Sequence, residues 1–147
     1  GWRIGYLALP SAIAEKMVPM LDSIYVCPPA PLQEAVARAI VRLDDSFYAE
    51  LASKYQQKRD RFATALRRVG MVPHLPQGAY YMIASFNERW PNIDSMQFVE
   101  QMIARARVGA VPANDFVPNP EQSPWVRFCF AVPDEVLEQA AQQLDQL

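Results

Sequence analysis

The sequence predicts an α+β fold in which helices cover one side of a small sheet. Three observations lead to this prediction. Residues 125–131 alternate between apolar and other side chains and are rich in aromatic and β-branched types, which is typical of a strand. Several longer segments carry apolar residues at helical spacing. From Asp44 onward the predicted order is helix, strand, helix, strand, strand, helix, an alternation that favours a layered α+β sandwich.

The composition indicates a packed domain. The chain has 147 residues, enough for one domain or a small domain with a piece of another, and 51% of them are hydrophobic. A net charge of −2 gives no general attraction to nucleic acid or to an anionic membrane. No apolar run approaches the length of a membrane span, and the chain opens on Gly-Trp-Arg without a signal peptide. We therefore expect neither a nucleic acid nor a membrane as partner.

The two cysteines favour a reducing compartment. Cys27 and Cys129 lie far apart in the sequence and form no C-x-x-C pair. We expect no structural disulfide, a buried free thiol at Cys129 and a cytoplasmic protein.

Residues 1–43 are predicted to form one strand and two helices. The apolar residues 4–9, which precede a proline, predict a fully buried strand. Helices follow at residues 12–21, with Ser11 as N-cap, and at residues 31–43. This part fits the small sheet poorly and resembles a piece of something larger.

Residues 44–147 are predicted to hold the sheet and its helices. Asp44 or Asp45 caps a long helix that Gly70 ends, and Asp94 with Gln97 has the spacing of a capping box. The predicted helices are 46–69, 95–106 and one that begins near residue 134, and the predicted strands are 79–86, 108–111 and 125–131. Residues 70–78 and 113–124 are predicted to be proline-rich connections.

Arg127 is the residue of greatest chemical interest. In the alternating strand it shares a face with Trp125, Cys129 and Ala131, where an unpaired guanidinium is costly to desolvate. One alternative is an edge strand from which Arg127 extends to water. The other is a guanidinium held in place for a carboxylate of the protein or of a ligand.

Other charged or titratable residues carry weaker signals. His74, the only histidine, has no neighbour in the sequence that would make it a metal ligand or a base. The basic residues of helix 46–69 alternate with acidic ones, which favours a solvated helix face over a nucleic-acid site.

Three motifs together indicate a family. Residues 1–6 read Gly-Trp-Arg-Ile-Gly-Tyr, residues 76–81 read Pro-Gln-Gly-Ala-Tyr-Tyr, and residues 126–131 read Val-Arg-Phe-Cys-Phe-Ala. In this order and spacing they resemble the C-terminal portion of class I, fold-type I aminotransferases that use pyridoxal 5′-phosphate, in the branch of kynurenine and aromatic aminotransferases. The resemblance implies that residues 1–43 are a remnant of the large cofactor-binding domain. It implies that residues 44–147 form the small C-terminal domain with a mainly antiparallel sheet.

The resemblance also implies roles for individual residues. Arg3 would bind the phosphate of the cofactor, and Arg127 the α-carboxylate of the substrate. Tyr80 or Tyr81 would line the substrate side, although at least one of them is expected to pack into the sheet, and we assign Tyr80 to the substrate. Gly78 would permit the tight turn before the strand.

The lysine that forms the Schiff base with the cofactor lies before the Gly-Trp-Arg motif in this family, hence upstream of Gly1. Lys16, Lys54 and Lys58 do not match its position. The resemblance therefore implies that the segment is inactive alone. Its parent enzyme would be a homodimeric aminotransferase that exchanges an amino group between an amino acid and a 2-oxo acid.

Three other interpretations stay open at this point. A C–S β-lyase of the same fold would keep both arginines. A transcriptional regulator could contain an aminotransferase-like sensor domain beside a DNA-binding domain. An unrelated α+β interaction module could match the motifs by chance.

Overall fold

The structure is a computed structural model that describes residues 2–117 and 123–147. It separates into two compact units, Gly1–Ala49 and Glu50–Leu147. The proposed assignment of residues 1–43 and 44–147 to parts of two domains stays a prediction. Within the described ranges, no helix combines the length and the apolar character that crossing a membrane requires.

The first unit is helical where it has regular structure. Helix α1 is Ser11–Tyr25 and helix α2 is Ala30–Arg42. The prediction of a buried strand at residues 4–9 is wrong: these residues form no strand, and Leu7 is 71% exposed. No neighbouring strand is described in this unit, so an extended segment has no ladder partner for its backbone groups. The predicted N-cap is also wrong, since Pro10 holds that position and Ser11 is the first helical residue.

Helix α3, Asp45–Arg68, is the long predicted helix. The Asp44 carboxylate caps its start by accepting the backbone amide of Phe47 at 3.2 Å. At the other end Gly70 has a φ of 83°, a left-handed conformation that glycine adopts without a steric penalty. Cap and stop residue thus define the helix, as the sequence predicts.

Four short strands form one sheet in the second unit. They are β1 Val72–His74, β2 Tyr81–Ser85, β3 Val111–Pro112 and β4 Trp125–Cys129. Their order is β1-β2-β4-β3, and every neighbouring pair is antiparallel. The sequence predicts a connection where β1 lies, because Pro73 weakens a strand assignment. On an edge strand, however, a proline can face solvent with the nitrogen that lacks a hydrogen, so the pairing with the neighbouring strand loses no hydrogen bond.

Helices cover one face of this sheet. Helix α4 is Ser95–Ala106 and helix α5 is Asp134–Gln143. Val126 and Phe128 of β4 point to the covered face and are at most 2% exposed. The ring of Phe62 on α3 lies 5.3 Å from that of Phe128, and the two pack edge to face. The predicted α+β architecture with a helix-covered antiparallel sheet is confirmed.

Basic residues of α3 contact acidic residues at the C-terminal end of the chain. Arg61 forms ion pairs with Asp134 and Glu138, and Arg68 pairs with Asp145 at 2.8 Å. All of these side chains are exposed, so each pair stabilises the fold only weakly. The basic face of α3 is therefore a solvated surface tied to α5, in agreement with the sequence interpretation.

Both cysteines are free and exposed. The prediction of a buried thiol at Cys129 is wrong for a simple geometric reason. Cys129 points to the face of the sheet opposite the helices, and no described element covers it there.

Candidate functional site

The face of the sheet that the helices leave open carries the candidate site. Strand pairing aligns His74 with Ile83, Ile83 with Arg127, and Arg127 with Val111. Residues directly opposite each other on paired strands point to the same face, so these four side chains form one row across all four strands. The row contains a single permanent charge, that of Arg127.

Arg127 lies in an interior strand, since β4 has β2 on one side and β3 on the other. The edge-strand alternative is therefore wrong. The Nε atom of Arg127 is buried and has no hydrogen-bond partner. Among the side chains that the structure describes, which do not include that of Asp115, Arg127 forms no ion pair. A guanidinium with a buried donor that lacks a partner is suited to bind an anionic ligand.

Two aromatic rings lie against this guanidinium. The Cζ atom of Arg127 is 4.5 Å from the ring centre of Tyr81 and 4.7 Å from that of Phe116. Tyr81 opens β2, whereas Phe116 ends a 3₁₀ turn, Ala113–Phe116, that follows β3. Both distances are within the range of cation–π attraction. Arg127 is thus restrained by an adjacent strand and by a loop.

Tyr80 is connected to Arg127 through Tyr81. The rings of Tyr80 and Tyr81 have their centres 4.5 Å apart. Hydrogen bonding to Tyr80 is the main cause that raises the pKa of the Tyr81 hydroxyl above its ordinary value, and the positive charge of Arg127 opposes this effect less strongly. Tyr81 is therefore a neutral phenol at neutral pH. Both rings are exposed, 44% for Tyr80 and 39% for Tyr81, and neither packs into the core.

A cavity of about 490 Å³ adjoins Arg127 on the open face. Its wall is mainly apolar and aromatic, with Phe116, Ile83 and Trp125 beside Arg127. His74 lies at the same cavity, and its ring centre is 4.8 Å from that of Trp125. One cation in an apolar wall suits a ligand with one anionic group and an apolar body.

Arg3 belongs to the first unit. It adjoins a separate recess of about 490 Å³ lined by Trp2, Pro29 and Leu32. Its φ is 60°, a left-handed conformation that is strained for a residue with a side chain and that recurs at functional sites. The described residues place no carboxylate in ion-pair distance of Arg3. The recess thus offers a guanidinium beside apolar surface, which suits an anionic group attached to an apolar body.

Other polar residues offer less. Lys58, the one lysine with a largely buried side chain, donates to the backbone carbonyl of Val132 and lies 3.8 Å from Asp134. In the part of the chain that the structure describes, no group of three or more His, Cys, Asp or Glu residues is arranged to hold a metal ion.

Sequence reasoning identified Arg127 and the tyrosine pair but missed Phe116. The available signal was an aromatic residue within the polar, proline-rich loop that directly precedes the Arg127 strand. Parts of that loop, residues 118–122 with Pro118 and Pro120, lie outside the described residues.

Comparison with known proteins gives a consistent result. The model of the family described as aminotransferase class I and II matches residues 1–144. The chain is 31% identical to human kynurenine–oxoglutarate transaminase 3 over 95% of its length. It is 32% identical to aromatic-amino-acid aminotransferase 2 of Thermococcus litoralis over its whole length.

Solved structures resemble the chain as well. An aromatic aminotransferase from Pyrococcus horikoshii superposes with a TM-score of 0.79 at 30% identity, over 98% of this chain and 38% of that one. A protein from Escherichia coli, described as having a methionine aminotransferase function, superposes with a TM-score of 0.84 at 27% identity. The superposition covers 99% of this chain and 38% of the Escherichia coli chain. The chain spans 35% and 37% of the human and Thermococcus relatives, about a third of their length.

Proposed function

We propose an activity from the family, since the chain belongs to the family of class I and II aminotransferases. The proposed activity of the protein that contains this chain is the exchange of an amino group between an amino acid and a 2-oxo acid. In this proposal pyridoxal 5′-phosphate is the cofactor and Arg127 binds the α-carboxylate of the substrate. The relatives named above are described as aminotransferases. These relatives do not favour the β-lyase, regulator and interaction-module alternatives.

The observation that supports this role for Arg127 is the environment of its guanidinium. Its Nε atom is buried without a partner, and the cavity beside it is otherwise apolar. A carboxylate in this cavity would accept two parallel N–H bonds from the guanidinium, and such charged pairs are stronger than bonds between neutral groups. Two such bonds fix the direction of the substrate, so Arg127 would supply orientation as well as affinity.

Arg3 is proposed to bind the phosphate of the cofactor. A guanidinium matches a dianionic phosphate with two parallel bonds, whereas a lysine offers a point charge. The exposed Arg3 and its apolar recess fit this group. Pyridoxal phosphate, when bound, supplies an electron sink for charge that develops at the α-carbon of the substrate.

The residues of this chain would then bind and orient the substrate, and they would not transfer protons. Arg127 holds the carboxylate, and the apolar wall of Ile83 and Phe116 keeps water away from the bound substrate. Tyr80 packs against Tyr81, which contacts the guanidinium, and on this geometry we propose Tyr80 as a further substrate contact.

The lysine that binds the cofactor is proposed to come from another part of the protein. The lysines of this chain are Lys16, Lys54 and Lys58, and none precedes the Gly-Trp-Arg motif, where the family has the Schiff-base lysine. Lys58 is engaged with a backbone carbonyl of its own unit. We therefore propose that the segment alone is inactive.

Assembly and location are further proposals. We propose a homodimer on the basis of the family, with amino acid and 2-oxo acid substrates as the only other partners. A cytoplasmic location is supported by two free, exposed thiols that form no disulfide.

The experiment that tests the proposed function compares arginine variants of the full protein that contains this chain. Amino-group exchange between L-phenylalanine and 2-oxoglutarate is measured for the wild type, Arg127→Ala and Arg127→Lys. We expect Arg127→Ala to lower kcat/KM roughly a hundredfold, because truncating one partner of a charged hydrogen-bonded pair costs a few kcal/mol. Lysine should recover part of this loss, since it keeps the charge but not the two parallel bonds.

Arg105→Ala serves as the matched control. Arg105 lies in the last turn of α4 and is exposed, so its loss changes the net charge equally without touching the candidate site. Its kcat/KM should stay within about twofold of the wild-type value. Wild-type kinetics in Arg127→Ala, or equal losses in both variants, would contradict the proposed role of Arg127.

A further inference from the structure

We infer that Phe116, carried by the 3₁₀ turn Ala113–Phe116, is a positioning residue that orients the guanidinium of Arg127 for the substrate carboxylate. This inference rests on the proposed function, since it presumes that Arg127 binds that carboxylate. It assigns a role to a residue that none of the sequence motifs contains.

The first supporting observation is the contact itself. The Phe116 ring centre lies 4.7 Å from Cζ of Arg127, and Tyr81 provides a second ring at 4.5 Å. The Phe116 side chain is 57% exposed, so burial of this ring in the core does not explain its position. A phenylalanine held against a cation while much of its surface faces solvent is more consistent with a role at that cation than with packing.

The second observation is the anchoring of the turn. Ser95, the first residue of α4, is fully buried, and its hydroxyl donates to the side-chain oxygen of Asn114. Ala113, which begins the turn, is 5% exposed. The turn also follows directly on β3, whose Val111 pairs with Arg127. A helix and a strand thus hold the backbone that presents Phe116.

These contacts have a consequence for binding. An arginine side chain has many rotamers, and ordering them on binding weakens the affinity for a ligand. Rings that restrain the guanidinium before the ligand arrives remove part of this cost. The N–H groups of a guanidinium point along its edge and not toward its faces, so a ring that attracts a face competes little with a carboxylate for these donors. An aliphatic side chain of similar volume fills the space but does not attract the cation.

The test uses the full protein with the substitutions Phe116→Leu and Phe116→Trp. The ligand is 3-phenylpropionic acid, which has a carboxylate and an apolar body but no amino group to react. We expect Phe116→Leu to raise its dissociation constant, and the KM of L-phenylalanine, roughly three- to tenfold, while kcat changes less than about twofold. Phe116→Trp, which keeps an aromatic face, should bind within about twofold of the wild type.

Phe47→Leu is the matched control. Phe47 is an exposed phenylalanine at the start of α3 that contacts Tyr48 and takes no part in the candidate site. It should leave the dissociation constant unchanged. If Phe116→Leu does not fold, Phe116→Met, which has a flexible side chain without a ring, is measured instead and should produce the same rise in KM.

Two results would overturn the inference. One is equal weakening by leucine and tryptophan at position 116, which would make shape rather than the ring responsible. The other is a wild-type affinity of Phe116→Leu for 3-phenylpropionic acid while Arg127→Lys binds this ligand weakly. That result would contradict the role of Phe116 but not the proposed function. Wild-type affinity in Arg127→Lys and Arg127→Ala would instead contradict the proposed function itself.

Discussion

The core beneath the sheet makes a quantitative prediction at Phe98. This side chain of α4 is 1% exposed, stacks on Phe86 with ring centres 4.2 Å apart and contacts Trp90 at 5.0 Å. Burial of a phenylalanine contributes about 1.5–3 kcal/mol, and each aromatic pair adds about 0.5–1.5 kcal/mol. Phe98→Ala should therefore lower the free energy of unfolding by about 3–5 kcal/mol, the range known for such truncations.

Thermal unfolding followed by circular dichroism measures this effect, with Met96→Ala as control. Met96 lies on the same helix two positions earlier but is 48% exposed. We expect a fall in Tm of about 6–20 °C for Phe98→Ala and less than about 4 °C for Met96→Ala. Equal shifts in the two variants, or a loss below about 1 kcal/mol for Phe98→Ala, would refute the packing described for α4.

Two further predictions concern Gly70 and Asp44. Gly70→Ala should destabilise the fold by about 1–2 kcal/mol in chemical denaturation, since φ is 83° and a Cβ would lie 2.9 Å from Cδ of Arg89. Gly109→Ala is the control and should be nearly neutral, because the space around Gly109 is open. Equal losses of stability in the two variants would contradict this reasoning. The pKa of the Asp44 carboxyl is lowered, chiefly by the hydrogen bond from Ser46, so its contribution to stability is present above its ordinary pKa and is lost as the pH falls through the lowered value. An NMR titration should show that low pKa and its rise in Ser46→Ala; titration at the ordinary value would argue against this cap.

The helices of the second unit could be predicted from the sequence because their signals are local. The capping box of Asp94 and Gln97 forms with both of its hydrogen bonds, and α4 has the predicted bounds. The segment 4–9 shows the limit of such reasoning. Apolar composition predicts burial, but a strand also requires a partner strand, which no local pattern supplies.

The site was predicted in part for the same reason. The alternation of β4 places Arg127 and Phe128 on opposite faces, and the structure agrees. The contact between Arg127 and Phe116 joins residues eleven positions apart, and it depends on where the 3₁₀ turn Ala113–Phe116 lies against β4. Strand periodicity carries no information on such a contact, so Phe116 became visible only in three dimensions.

The most direct test of the central claim compares two ligands that differ only in the carboxylate. The dissociation constants of 3-phenylpropionic acid and 3-phenylpropanamide are measured for the full protein and for Arg127→Ala. If Arg127 binds the carboxylate, the substitution weakens the acid roughly ten- to a hundredfold, as expected for a charged hydrogen bond, and the amide less than about threefold. Equal weakening of both ligands, or of neither, would contradict the assignment of Arg127.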